Sequence, residues 1–512
     1  MRITTTITAA TQSKIAPPLK FVAPLFNWLP FILPFLAALL VYNLTAADGL
    51  TWRHAGEDGG DLATAVALGG VPHPTGYPLY LMVNRLFLLL APNPARALII
   101  ASAFWGAMAA GLSGSATTNF CRIINPAGKA VVGGIFSGLA LAFAPLVWSQ
   151  ALIVEIYSFN LFLLALFYLT LSWWWEKPSY NKLILVALVA GLAVGQHRTA
   201  LFSLPGSIWL IFIVKKPGWK QIGLLLAVFL LALFSPYLYL LFCGGNNPAA
   251  NWSDIGLGNL AGLWEHLSGG DYRQYWLAAP LSQSLGRIPA SFNLLLQQFG
   301  LVGLLLGWLG LMACFLEKRA RPLGWLSLSG LLLYLAFAAG YAADNSQIYL
   351  LPAFQLWAIL SGWSLVWAIN QLPSKVSAGW GLGIALLTLL IIPGLSLITN
   401  YTKLNLSGLH EAESWATTTL KTAPEKAVLL SYHDSTTFAL WYAQSVRKFR
   451  PEVAIIDVRL LDKAWYRRNL KALYPALKLV EGADNPAQII SNRPLITVTE
   501  PDIYQPNELF QP

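Results

Sequence analysis

The chain has 512 residues, of which 56% are hydrophobic and only 11% are charged. Ordinary soluble domains carry roughly 25% charged residues, so this composition excludes a water-soluble globular protein. The formal net charge of +10 comes without a basic stripe, which argues against a nucleic-acid partner. The three cysteines lie far apart and form neither a disulfide framework nor a metal-ligand cluster: Cys121, Cys243 and Cys314.

Eleven apolar segments predict membrane-spanning helices, because most approach the roughly 20 residues needed to cross a bilayer. They cover residues 25–47, 97–119, 130–150, 157–175, 183–198, 200–214, 222–243, 299–316, 323–341, 350–370 and 379–399. A further apolar stretch, Leu79–Ala91, is too short to cross and carries Arg85 in its middle. It predicts a helix lying at the membrane interface.

This assignment places 14 of the 20 basic residues that precede Asn400 on the same side as the N-terminus. The positive-inside rule assigns that side to the cytoplasm. Two long loops, 48–96 and 244–298, and the tail 401–512 are then extracytoplasmic. No cleavage site follows the first span, which predicts a signal anchor, and we expect an integral protein of the bacterial inner membrane.

The tail differs from the preceding membrane module, residues 1–400, in composition. It holds 12 of the 23 acidic residues and 13 of the 33 basic ones. Helical spacing in Glu411–Lys421 and Thr437–Val446 alternates with short apolar strands at Ala427–Ser431 and Val453–Val458. The predicted fold is therefore a mainly α, polytopic transmembrane bundle with a small C-terminal α/β domain built on a parallel sheet.

The first long loop (residues 48–96) carries the most unusual chemistry. Glu57, Asp58 and Asp61 fall within five positions and alternate with glycines, which let a backbone approach a ligand closely. Repulsion between adjacent like charges raises the pKa of one carboxyl group. That carboxylate can then act as a base that takes a proton. The alternative is a solvated acidic turn in which Asp61 caps the next helix.

Other polar groups fall at the ends of predicted spans on the same side. The rigid turn Pro72–Pro78 carries an imidazole and a phenol, and an arginine or histidine cluster at this depth suits a lipid phosphate. Interfacial, capping or snorkelling roles are the alternatives. These candidates are His73, Tyr77, Arg85, Glu155, Tyr157, His197 and Arg198.

The second long loop (residues 244–298) is long for a connection and rich in aromatic and charged residues. Trp252, Asp254 and Arg273 are suited to contact a sugar or an acceptor, as is Glu57 of the first loop. An interfacial aromatic belt has the same composition and remains an alternative.

Several motifs together resemble a known family. They stand as Asp58–Asp61, His73–Tyr80, Trp148–Asn160 and Gly191–His197, with further likeness at Asn251–Asp254, Leu440–Tyr442 and Ala464–Tyr466. This pattern resembles the GT-C membrane glycosyltransferases, and within them a formerly uncharacterised multispan family. That family includes the vertebrate transmembrane protein O-mannosyltransferase acting on plexin-type receptors.

The resemblance implies an inverting transfer of a sugar, such as mannose, from a polyprenyl-phosphate donor to a hydroxyl on a protein, lipid or glycan. It implies that the catalytic carboxylate lies in the first long loop. Asp58 matches the aspartate of the family motif, whereas Asp61 stands where glutamate is expected more often and glycine replaces a common serine. The roles of Asp58 and Asp61 therefore stay interchangeable at this point.

No cofactor is expected, since no nucleotide-binding motif stands after a strand, and a divalent metal is not favoured for a monophosphate donor. A transporter or flippase of lipid-linked sugars or solutes is the competing function. It would more typically place ionisable residues at mid-span, whereas here they cluster in loops.

Overall fold

The computed structural model describes residues 22–125, 129–243, 247–252, 255, 259–372, 381–479, 489–490 and 493–501. Asp254 of the second long loop lies outside these residues. Fifteen helices are described up to Gln371: α1 Val22–Thr45, α2 Gly59–Leu68, α3 Pro78–Asn84, α4 Pro94–Ile124, α5 Ala130–Ala142, α6 Pro145–Gln150, α7 Tyr157–Glu176, α8 Tyr180–Gln196, α9 Leu204–Lys215, α10 Trp219–Phe234, α11 Tyr237–Cys243, α12 Leu260–Ser268, α13 Leu281–Leu316, α14 Arg321–Gly340 and α15 Leu351–Gln371.

Four further helices follow: α16 Gly381–Leu404, α17 Glu411–Thr422, α18 Asp434–Trp441, which continues as a π-helical turn over Tyr442–Val446, and α19 Ala464–Leu473. The strands are β1 Val428–Ser431, β2 Ala454–Asp457, β3 Lys478–Leu479, β4 Ile489–Ile490 and β5 Leu495–Thr497.

Helix α4 is central to the bundle and packs against α1, α5 and α7. Small residues allow this close approach, as is usual between helices in lipid. A methyl group added at Gly114 would lie 2.2 Å from the Pro30 carbonyl oxygen and 2.7 Å from that of Gly134. Gly133 and Gly362 meet in the same way between α5 and α15. The bundle is therefore held by backbone contact as well as by side-chain packing.

The mainly helical, polytopic architecture predicted from the sequence is confirmed. A helix occupies each of the eleven predicted spans. Eight of the described helical segments are long and apolar enough to cross a membrane, and shorter apolar helices cover Pro78–Leu89, Ala130–Ala142 and Tyr180–Gln196. The number of spans stays a prediction.

The C-terminal region contains the predicted parallel sheet. Strand β1 pairs in parallel with β2 on one side and with β5 on the other, giving the order β2-β1-β5. Strands β3 and β4 form a separate antiparallel pair. Both β1 and β2 are buried along their whole length, as expected for a parallel sheet covered by helices.

The C-terminal α/β unit packs directly on the first long loop. The Trp52 amide donates a 3.0 Å hydrogen bond to the Glu411 carboxylate of α17, and the Asp48 amide donates to the Leu409 carbonyl at 2.9 Å. A methyl group at Gly60 would lie 2.4 Å from the Phe438 carbonyl oxygen of α18. Loop and tail consequently form one continuous core, and α18 is brought to the loop carboxylates.

Candidate active site

Asp61 is buried at the centre of a hydrogen-bonded cluster. It lies in the first turn of α2 with 2% of its surface exposed. Its Oδ2 accepts the His73 amide at 2.8 Å and lies 2.7 Å from His73 Nδ1, and its Oδ1 accepts the Trp252 indole N–H at 3.0 Å. Both oxygens are therefore occupied, so Asp61 orients an imidazole and an indole.

Asp58 has a different environment, although it lies only three residues earlier. It occupies the position that precedes α2 but makes no side-chain capping bond there. Its side chain is 43% exposed, and its Oδ2 lies 3.7 Å from His73 Nε2. The two carboxylates that the sequence left interchangeable are thus distinct: Asp61 is enclosed, and Asp58 is accessible beside His73. The helix also begins before Asp61, which is not its cap.

The charges around His73 decide its protonation. Burial alone disfavours the imidazolium, but the Asp58 and Asp61 carboxylates, with a smaller contribution from Glu155, raise the pKa of His73 to about 9. The histidine is therefore charged at neutral pH. Desolvation raises the pKa of Asp58 above its ordinary value, the His73 charge opposes this, and Asp434 and Asp61 add to it. A carboxylate with a raised pKa is a stronger base.

The turn that carries His73 is fixed by backbone geometry and by packing against α12. Gly76 has φ 84°, a conformation open to glycine, and a methyl group there would lie 2.8 Å from His266 Nε2. Tyr77 follows with φ 41°, and its ring centroid lies 5.5 Å from that of His73. The aromatic ring thus lies against the imidazole.

Glu155 lies within electrostatic reach of this cluster. It is 2% exposed, and its Oε2 accepts the Ile156 amide at 3.1 Å. Burial raises the pKa of Glu155 well above its usual range, and the nearby Asp58 and Glu57 carboxylates act in the same direction. This second buried carboxyl group lies two residues before the start of α7.

The remaining predicted residues extend from this centre toward the bundle. Tyr157 begins α7, and its ring lies 5.9 Å from that of His197, whose Nδ1 is 2.7 Å from the Thr199 hydroxyl. Arg198 donates to the Tyr237 hydroxyl at 3.0 Å and to the Leu267 carbonyl. Arg198 therefore ties α12 to the bundle.

Two predicted arginines lie elsewhere. Arg85 is exposed at the end of α3, with its guanidinium over Gly69, so that a methyl group there would lie 2.8 Å from Nη1. Arg273 is exposed and donates to the Ser268 hydroxyl within its own loop. The described contacts connect neither side chain to Asp58 or Asp61.

The tail supplies site residues that the sequence analysis did not name. Phe438 stacks on the His73 ring with centroids 6.3 Å apart and 11° between the planes. Asp434, one helical turn earlier, adds negative charge near Asp58 and accepts Arg459 Nη2 at 2.6 Å. Spacing i, i+4 places both on one face of α18, but the sequence alone does not show which surface that face meets.

Among the residues that the structure describes, no group of three or more histidine, cysteine or acidic side chains could hold a metal ion. The chemistry available at the site is that of an accessible carboxylate, an imidazolium and surrounding aromatic rings.

The fold is similar to those of solved structures. ArnT from Cupriavidus metallidurans, crystallised with undecaprenyl phosphate, superposes with a TM-score of 0.54 at 11% identity, covering 91% of this chain and 89% of that one. The archaeal oligosaccharyltransferase AglB from Archaeoglobus fulgidus, in complex with an inhibitory peptide and a dolichol-phosphate, gives 0.51 at 11% identity, with 89% and 69% covered. The fold is that of the GT-C membrane glycosyltransferases.

Sequence comparison finds relatives with a higher identity than these two solved structures. Residues 58–220 match the family model of the protein O-mannosyl-transferase TMEM260 N-terminal domain, and residues 412–478 match TMEM260-associated domain 2. Protein O-mannosyl-transferase TMEM260 of Mus musculus is 24% identical over 487 residues, covering 90% of this chain and 67% of that protein. The Dictyostelium discoideum counterpart is 21% identical, with 87% and 59% covered. The resemblance to this O-mannosyltransferase family is confirmed, and the chain spans about three fifths to two thirds of these relatives.

Proposed function

We propose that the chain transfers a hexose, such as mannose, from a polyprenyl-phosphate donor to a hydroxyl group of a protein acceptor, with inversion at the anomeric carbon. The observation that carries this proposal is the contrast between Asp58 and Asp61. One carboxylate is enclosed by three donors, while the other is accessible, has a raised pKa and lies 3.7 Å from a charged histidine.

In the proposed reaction, Asp58 takes the proton of the acceptor hydroxyl as its oxygen attacks the anomeric carbon. The new glycosidic C–O bond forms as the bond from the anomeric carbon to the phosphate oxygen breaks. The polyprenyl phosphate leaves with that electron pair, and the proton remains on Asp58. A single displacement inverts the anomeric centre.

Asp61 and His73 act on this step by position and charge. Asp61 fixes the imidazole, and the His73 charge keeps Asp58 ionised in a site where desolvation favours the neutral carboxyl. Without a charged His73, Asp58 would be protonated more of the time and unable to accept a proton. The fixed imidazolium therefore sets the pH range in which the base works.

The donor phosphate would lie toward the bundle, close to Arg198. Arg198 donates to a phenol and to carbonyl groups, so its charge remains available to stabilise the negative charge that develops on the departing phosphate. His197 precedes Arg198 in the chain, whereas Arg85 lies elsewhere, with its guanidinium over Gly69. ArnT was crystallised bound to undecaprenyl phosphate, and the AglB structure is a complex with a dolichol-phosphate, which supports a donor of this kind.

The site is proposed to face the extracytoplasmic side, because the basic residues concentrate on the opposite face of the bundle. We further propose a bacterial inner membrane as its location; both relatives named above are eukaryotic. A monophosphate leaving group carries too little charge to need a divalent ion, and we propose a metal-independent reaction.

The experiment uses purified protein, polyprenyl-phosphate [³H]mannose and a pool of serine- and threonine-containing peptides. We expect labelled peptide and free polyprenyl phosphate from the parent, and a loss of about 10²- to 10⁴-fold in Asp58→Asn, as for removal of a general base. Asp48→Asn is the matched control, because Asp48 is an exposed carboxylate of the same loop, 56% accessible and paired with Arg96.

The proposal fails if the parent releases no more polyprenyl phosphate from any polyprenyl-phosphate hexose than Asp58→Asn does. Movement of intact labelled donor across proteoliposomes, without cleavage, would instead support a flippase.

A further inference from the structure

A large polar cavity opens beside the proposed catalytic pair. Its volume is about 550 Å³, within the 300–1,000 Å³ range of ligand sites. Three parts of the chain form its walls: the turn after His73, helix α12 of the second long loop, and the segment that leads into α19. Its lining includes Pro74, Trp252, Glu265, Asp462, Lys463 and Trp465.

The cavity is connected to Asp58 through two of its own wall residues. Pro74 directly follows His73, whose Nε2 lies 3.7 Å from the Asp58 carboxylate. Trp252 donates its indole N–H to Asp61 on one side and lines the cavity on the other. Along the turn, a single residue, His73, therefore separates the cavity wall from the contact with the proposed base.

The lining residues lie outside the membrane-spanning helices, in the two long loops and the tail. A donor with a polyprenyl chain must keep that chain in the bilayer, so it would approach the site from the bundle. The cavity, by contrast, is lined by residues outside the spanning helices. Its location suits the water-soluble substrate, which is the acceptor.

The chemistry of the walls favours a polypeptide. The Trp252 and Trp465 rings lie with centroids 5.8 Å apart at 39° and offer an apolar surface to side chains. Around them, Glu265 is exposed, and Asp462 is 59% accessible and lies 3.8 Å from Lys463. Along an extended segment, carboxylates can accept hydrogen bonds from backbone amides, and an ammonium group can donate to backbone carbonyls. Two acidic groups against one basic group favour segments with positive charge.

We propose that this cavity binds the acceptor as an extended, serine- or threonine-bearing polypeptide segment, so that the C-terminal α/β unit completes the acceptor site. This inference rests on the proposed function, because it takes Asp58 as the base that receives the acceptor proton. It adds the location of the acceptor site and the part of the chain that selects the acceptor.

The first test measures binding without turnover. A photoreactive p-benzoylphenylalanine is placed at Ala464, an exposed lining residue, in the inactive Asp58→Asn chain. Biotinylated peptides with serine or threonine and flanking lysines should crosslink on illumination. The same group at Lys471, an exposed position on the same helix outside the cavity, should give only background crosslinking.

The second test measures KM and kcat separately in the active chain. We expect Trp465→Ala and Glu265→Lys to raise the KM for lysine-flanked peptides by about tenfold, the effect of losing roughly 1.4 kcal/mol of binding, with kcat at saturating peptide retained. Glu265→Lys changes an exposed side chain, so its result stands even if Trp465→Ala fails to fold. Lys471→Ala is the control that should change neither constant.

The outcomes separate the two proposals. Transfer by the parent, with no crosslink at Ala464 and an unchanged peptide KM in both variants, overturns the cavity assignment alone. A rise in the KM for the donor instead, or competition by free oligosaccharide but not by peptide, also overturns it and assigns the cavity to sugar. Specific crosslinking in a chain that cleaves no polyprenyl-phosphate sugar overturns the proposed function and leaves the peptide site standing.

Discussion

Replacement of the two neighbouring aspartates should separate catalysis from stability. Removing the Asp61 carboxylate by Asp61→Ala leaves three donors unpaired: the amide and Nδ1–H of His73 and the indole N–H of Trp252. Each buried unpaired donor costs about 1–3 kcal/mol. The half-buried indole is counted at the low end of that range, about 1 kcal/mol, so the expected loss of unfolding free energy is roughly 3–7 kcal/mol.

Asp58→Asn should behave in the opposite way. Its side chain is 43% exposed and makes no capping bond. The raised pKa of Asp58 means that folding favours its neutral form, so a neutral amide should leave the melting temperature equal or slightly higher. Turnover should fall about 10²- to 10⁴-fold. Asp61→Asn should be intermediate in stability, since an amide oxygen can replace only part of the carboxylate.

The melting temperatures of the detergent-purified variants would be measured by intrinsic fluorescence. They would be compared with the initial rates of polyprenyl-phosphate mannose cleavage. Asp58→Asn at parental rate, together with an Asp61→Asn chain that melts normally but is inactive, would show that the roles are reversed. Equal destabilisation by both replacements would refute the distinction between an enclosed and an accessible carboxylate.

Three further predictions concern the surroundings of Asp58. Asp434 raises the pKa of Asp58, so Asp434→Asn should lower that pKa and move the acidic limb of the pH–rate profile to lower pH; a shift to higher pH would contradict this sign. Gly60→Ala should place a methyl group 2.4 Å from the Phe438 carbonyl oxygen and lower the free energy of unfolding by about 1–3 kcal/mol through overpacking. Limited proteolysis should then release the tail faster. Gly286→Ala is the control, because Gly286 has open space around it, and it should change neither quantity. Excess EDTA should leave transfer unchanged, and restoration of lost activity by one divalent ion would disprove metal independence.

The periodicity and composition of the sequence were sufficient to predict most of the architecture. Each predicted span contains a helix, and the predicted strand at Ala427–Ser431 appears as Val428–Ser431 with a parallel partner on either side. These features depend on local patterns of apolar residues, which a single sequence displays. The helix expected over Thr437–Val446 begins earlier, at Asp434, and ends in a π-helical turn, because its ends are set by packing on the first long loop.

The site could be predicted only in part, for a physical reason. Asp58, Asp61 and His73 lie close together in the chain, so the sequence displays their grouping. Their division of roles depends on which groups donate hydrogen bonds to each carboxylate. The donor to Asp61 Oδ1 is Trp252, 191 residues away. Phe438, which stacks on His73, is farther still. No local spacing encodes such contacts.

The packing of the tail on the first loop has a consequence for how the site works. Phe438 covers one face of His73, Trp252 holds Asp61, and Trp252 in turn lies 5.8 Å from both Phe438 and Trp465. The base, the proposed acceptor cavity and the C-terminal unit therefore share a single layer of aromatic rings. A displacement of the tail would loosen the imidazole that keeps Asp58 ionised and, in the same movement, open the cavity wall.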